Sequence, residues 1–135
     1  MYDADGYLDG LEIRKADYRD IINEFKQMPD TVFFIDPPYL STQTDAYKSG
    51  NYWRLTDYLD VIALLKDLNY IYFTSNKSEI TELMTWMEAE TAYNSPFSGA
   101  DFKNVRSSIN GSCSGYEDIM ICKIPEESAQ QVLFP

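Results

Sequence analysis

The sequence predicts an α/β domain with a mostly parallel sheet flanked by helices. Three observations predict it. Short apolar, β-branched and aromatic runs recur at residues 31–35, 70–74 and 118–124. The segments between them carry apolar residues at helical spacing, and the two kinds of segment alternate along the chain. With 135 residues, 44% of them hydrophobic and 15% aromatic, the chain fits one domain over 1–135, with 1–10 and 125–135 as tails.

The elements follow in order. LEIR (11–14) reads as a weak strand, and Asp17 as the N-cap of a helix carrying Tyr18, Ile21, Ile22 and Phe25 on one face. Pro29 and Asp30 close that helix. TVFFI (31–35) is a continuous apolar run of the kind expected of a strand buried on both faces. Thr56 then caps a helix with Tyr58, Val61, Ile62, Leu65 and Leu68 inward, followed by the strand YIYFT (70–74). Asn76, with Glu79 three residues on, opens a helix carrying Ile80, Leu83, Met84 and Met87, methionines best explained as core filling. TAYNSPF (91–97) reads as a short strand broken at Pro96, and DIMICKI (118–124) as a clearer one.

Composition narrows the chemistry. The chain has no histidine, which removes imidazole bases, Ser-His-Asp triads and the usual zinc sites. Cys113 and Cys122 have no metal-like spacing and are too few for a disulfide framework, so reduced thiols are expected. No apolar stretch approaches the ~18–20 residues of a membrane span, and the acidic start MYDADGYLDG has no signal pattern, so a cytoplasmic location is expected. The net charge of -11 opposes nucleic-acid binding unless it is uneven. It is uneven: Lys48 and Arg54 lie in an acid-free stretch between Asp45 and Asp57, and Lys103 and Arg106 in another from Phe102 to Tyr116.

The apolar run 31–35 ends in Asp36-Pro37-Pro38-Tyr39. In open α/β sheets, ligands bind beyond the carboxyl ends of strands, where this tetrapeptide and Ser75-Asn76 both fall. Two prolines end the ladder, fix the chain's course and leave carbonyls without sheet partners. Asp36 adds an acceptor-only carboxylate and Tyr39 a ring able to stack on a flat partner. A heterocycle with an exocyclic amino group suits the set: its two donors meet the carboxylate and a proline carbonyl while its ring stacks. Held so, the nitrogen lone pair leaves conjugation and becomes a better nucleophile for methyl transfer from a sulfonium. The plainer alternative is a strand terminator followed by a turn.

These residues resemble the amino-methylating DNA methyltransferases, in particular the Dam-type adenine N(6) enzymes, whose catalytic motif is Asp-Pro-Pro-Tyr. Asp17-Tyr18-Arg19-Asp20 is similar to that family's Gly-Asp-Phe/Tyr segment, with Ala16 where glycine is common. Thr74-Ser75-Asn76 resembles its Ile/Leu-Ser-Asn, the stretch from Val105 to Gly111 its Arg-Ser-Ile-Ser/Asn loop, and the stretch from Glu117 to Ile121 its Glu-Leu-Leu strand. The resemblance covers residues 11–124 and implies a partial Rossmann-like fold dependent on S-adenosylmethionine. It implies that a flipped adenine stacks on Tyr39, its amino group held by Asp36 and the Pro37 carbonyl within the motif Asp36, Pro37, Pro38 and Tyr39. Asp17, Tyr18 and Asp36 would lie by the cofactor, and Lys48, Arg106, Ser107, Ser108 and Asn110 by DNA. Aspartate at the first motif position favours adenine over cytosine. Methyltransferases of protein glutamine share the strand-end motif but usually begin it with asparagine, and an RNA substrate is a further alternative.

Two family features are not found. None of the glycines, at 6, 10, 50, 99, 111 and 115, makes the cofactor loop Phe-x-Gly-x-Gly after a strand. The first two strands and the target recognition domain of the family are also missing, so the cofactor site is expected to be incomplete and the chain weak or inactive alone. It then corresponds to a piece of a longer enzyme, a partner for a separate N-terminal half, or a remnant acting as a non-catalytic interaction or regulatory module. In the family the first two strands lie between the LEIRK and TVFFI segments. Without them either those segments pair directly or a second copy covers the edge, and a dimer is expected.

Overall fold

The computed structural model describes residues 6, 8–40, 53–90, 95–105 and 117–124. The elements run α1 (Tyr18–Phe25), β1 (Phe33–Ile35), α2 (Leu55–Leu64), a 3-10 turn (Leu65–Asp67), β2 (Tyr70–Ser75), α3 (Ile80–Ala89), β3 (Asp101–Val105) and β4 (Asp118–Lys123). The four strands form one sheet in the order β1-β2-β4-β3.

α1 starts where its cap predicts: the Asp17 carboxylate accepts the Arg19 N–H at 2.8 Å. α2 begins two residues earlier than expected. Arg54, not Thr56, is its N-cap, because the Asp57 carboxylate reaches back to accept the Arg54 N–H at 2.7 Å. α3 begins later than expected, at Ile80. Asn76 is engaged elsewhere: its N–H donates to the Glu117 carbonyl at 3.0 Å and its Oδ1 accepts the Glu117 N–H at 3.1 Å, tying the end of β2 to the start of β4.

The sheet is mixed rather than mostly parallel. β1 and β2 are parallel, Phe33 opposite Tyr70 and Ile35 opposite Tyr72, whereas β4 runs antiparallel to both β2 and β3. Apolar periodicity locates strands but carries no direction, so it could not separate a parallel return from this one. β3 was also hidden, since DFKNV has only two large apolar residues and lies at the edge of the sheet. Of the segment expected as a strand before it, residues 91–94 lie outside the described residues, and its end is not a strand: Ser95 to Gly99 form a turn, with the Ser95 hydroxyl accepting the Phe97 N–H at 3.2 Å.

LEIR is not a strand. Arg14 forks onto Glu24 of α1 at 2.9 Å and lies over the Phe25 ring at 5.7 Å, while Leu11 and Ile13 stay exposed, so the segment follows α1 and does not pair with β1. β1 is shorter than expected and half-buried on one face, with Phe34 64% exposed on the other. The strand covered on both faces is β2, where Tyr70, Tyr72 and Thr74 alternate with buried Ile71 and Ser75.

One cluster unites the helices with the sheet. Ile22 of α1, Tyr58, Val61 and Ile62 of α2, Leu65, Leu68, and Ile80 and Met84 of α3 pack with Tyr70, Tyr72, Phe97 and Ile121. Each large side chain removed from water there contributes roughly 1.5–3 kcal/mol before entropy is counted. Tyr70 enters this core with its hydroxyl paired, donating to the Pro96 carbonyl at 3.0 Å. Among the described residues no helix is long and apolar enough to cross a membrane.

Candidate functional site

β1 and β2 are parallel, so their carboxyl ends open on the same side, placing Asp36-Pro37-Pro38-Tyr39 beside Ser75-Asn76. The prolines stop β1 after three residues. Pro37 is buried, Asp36 and Pro38 are exposed and Tyr39 is half-buried, so the carboxylate faces outward on an anchored turn. The far side of that turn is fixed by the Leu40 carbonyl, which accepts the Glu79 N–H at 2.9 Å.

Beside the motif lies a cleft of about 360 Å³. It brings together Ala16 and Tyr18, the side chains of β1, Asp36, Pro37 and Pro38, and Trp53. Two groups that the sequence separates by nearly twenty residues, the start of α1 and the end of β1, therefore share one wall. Its aromatic part is built: Tyr18 and Trp53 have ring centroids 5.4 Å apart, Trp53 and Tyr58 are 5.2 Å apart edge to face, and the Arg19 guanidinium caps the Tyr18 ring at 4.6 Å. Arg19 is held in turn by Asp60 at 2.6 Å and Asp17 at 3.5 Å. The Tyr18 hydroxyl is buried and unpartnered among the described residues, and burial pushes it above the ordinary phenol range.

Asp36 also acts on the core. Tyr72 is pushed up, first by burial and then by the Asp36 charge, which places that carboxylate within electrostatic reach of the central strand. Tyr39 reaches the other way: its hydroxyl donates to Asp118 Oδ1 at 3.3 Å.

Of the residues singled out from sequence, Asp36, Pro37, Pro38 and Tyr18 line the cleft and Asp17 caps the helix beside it, whereas Tyr39 is not part of the lining and hydrogen-bonds to Asp118 at the start of β4. Lys48, Arg106, Ser107, Ser108 and Asn110 lie outside the described residues. Sequence reasoning missed Trp53 and Asp118. Trp53 left a trace, an aromatic residue inside an acid-free stretch; Asp118 fell within the Glu117–Ile121 stretch, but nothing there pointed to Tyr39 as its partner.

The cleft fits the adenosine end of a nucleoside cofactor in part. It has an apolar and aromatic wall, an unpartnered hydroxyl and a carboxylate at its mouth, but no glycine-rich turn among the described residues.

The class defined so far is a mixed α/β chain with a strand-end carboxylate, a proline-fixed turn and an aromatic-walled cleft. Comparison with known proteins adds one relative: a protein of Haemophilus influenzae named "Putative methyltransferase" is 34% identical over 121 residues. The match takes in 89% of this chain and 40% of that protein, so the chain spans about two fifths of its relative's length. No protein-family model matches the chain, and no solved structure does.

Proposed function

We propose that this chain is the catalytic part of an adenine-specific DNA methyltransferase that uses S-adenosylmethionine, incomplete when alone. The supporting observation is the joining of Asp36-Pro37-Pro38, at the end of β1, with Tyr18 of α1 in one cleft. The similarity to a protein named a methyltransferase supports the same reading.

The cofactor, bound, supplies an electrophilic methyl group. Tyr18 and Trp53 form the wall for its adenine, and Asp17 keeps that wall in place through the helix cap and Arg19. Asp36 and the Pro37 carbonyl accept the two amino hydrogens of the target base, which turns the nitrogen lone pair towards the methyl donor. The nitrogen takes the methyl group as the methyl carbon–sulfur bond breaks, leaving a neutral thioether, and the cationic nitrogen then loses one proton to water. Tyr39 supplies the stacking face for the extruded base. Lys48, Arg106, Ser107, Ser108 and Asn110 contact phosphates, with the acid-free stretches offsetting an overall charge of -11. A glycine loop from outside these 135 residues completes the cofactor site, and β1, at one end of the sheet, is covered by the segment that carries the loop or by a second copy of this chain.

A second reading, a non-catalytic module that keeps the fold, is favoured by the negative charge and by the lack of a Phe-x-Gly-x-Gly turn. Radiolabelled S-adenosylmethionine and adenine-containing duplex DNA separate the two. With a polypeptide carrying the glycine loop, the wild-type chain transfers label and Asp36→Ala does not. Absence of transfer and of cofactor binding in every mixture would leave the module standing.

A further inference from the structure

We infer that Asp118 is a positioning residue for Tyr39: it holds the phenol ring at the angle at which a base can stack on it. This rests on the reading of Tyr39 as the stacking face. The geometry on both sides of the ring supports it. At the backbone side, Pro37 and Pro38 restrict the approach and the Leu40 carbonyl accepts the Glu79 N–H at 2.9 Å, so the ring is hinged on a turn tied to the start of α3. At its tip, the hydroxyl donates to Asp118 Oδ1 at 3.3 Å in a half-buried setting, 79 residues away in sequence.

The acceptor is itself well fixed. Asp118 opens β4, the strand paired on both sides, with its Cα opposite Ser75 of β2 and Val105 of β3. The residue before it is locked by two hydrogen bonds to Asn76, at 3.0 and 3.1 Å. A carboxylate on such a strand end gives the ring's tip a stationary anchor. Swinging the ring off the stacking angle breaks that bond, whereas a ring without it must be ordered when the base arrives.

The full chain tests this with five variants: Tyr39→Phe, Tyr39→Ala, Asp118→Ala, the Tyr39→Phe/Asp118→Ala double, and Asp118→Asn, whose amide oxygen still accepts. Ring order at Tyr39, from NMR relaxation of 13C-labelled tyrosine without ligand, should fall in Asp118→Ala and recover in Asp118→Asn. Binding to a single-stranded oligodeoxynucleotide with one 2-aminopurine, followed by fluorescence quenching, should weaken about three- to tenfold in Tyr39→Phe and in Asp118→Ala. The double variant should lose no more than either single, because both remove the same bond. Unchanged ring order in a folded Asp118→Ala overturns the positioning role alone. Quenching by Tyr39→Ala equal to that of wild type, or quenching by neither, overturns the stacking reading and the positioning role with it.

Discussion

At the scale of single residues, the chain relies on tyrosines where other folds use aliphatic side chains, and this has a cost at high pH. Tyr70 and Tyr72 are buried in the sheet, and burial holds both phenols above their ordinary range, aided at Tyr72 by the Asp36 charge and at Tyr70 by Cys122. A raised folded pKa means that the unfolded chain sheds its phenolic protons first. The contribution to stability is therefore whole below about pH 10 and falls as pH climbs through the raised folded values. Denaturant midpoints measured from pH 8 to 11 should stay level and then drop, with a shallower drop in Tyr72→Phe; an equally steep drop in that variant would contradict the assignment. The buried positions of these tyrosines were legible from the apolar run they sit in. The coupling of Tyr72 to Asp36 was not, because the carboxylate approaches Tyr72 only when β1 and β2 pair in parallel register.

At the scale of elements, helix termini divided into those that were readable and those that were not. Asp17 was readable because a capping carboxylate acts within three residues of itself, and the N–H it accepts belongs to Arg19. Asp17→Ala should lower stability by about 1 kcal/mol, measured by chemical denaturation, and any loss of cofactor affinity in that variant has to be judged against this baseline. A variant as stable as wild type would show that the cap is dispensable. Asn76 misled for a physical reason: the same side chain that caps helices also satisfies an exposed strand end, and here its partner Glu117 is 41 residues away. β3 and the antiparallel course of β4 depend on such long-range pairing, which no local pattern records. The Asp36-Pro37-Pro38-Tyr39 turn was legible because proline writes its geometry into the sequence directly.

At the scale of the whole molecule, the sheet ends at β1, which carries Phe34, 64% exposed, and Leu11 and Ile13 of the segment before α1 are exposed as well. An apolar strand edge of this kind draws another chain. Light scattering at rising concentration should give a mass above that of the monomer, and Phe34→Glu should reduce it; a monodisperse monomer at high concentration would count against a covered edge. The cleft beside β1 joins that edge to the strand-end motif, so completing the sheet and completing the cofactor site are one event in this account. The transfer reaction reads that event out. The direct measurement is mass spectrometry of nucleosides from DNA incubated with S-adenosylmethionine, this chain and a polypeptide carrying the glycine loop. N6-methyldeoxyadenosine is expected with the wild-type chain and none with Asp36→Ala; its appearance in equal amount with Asp36→Ala, or methylation of another base, would contradict an adenine-specific role for Asp36.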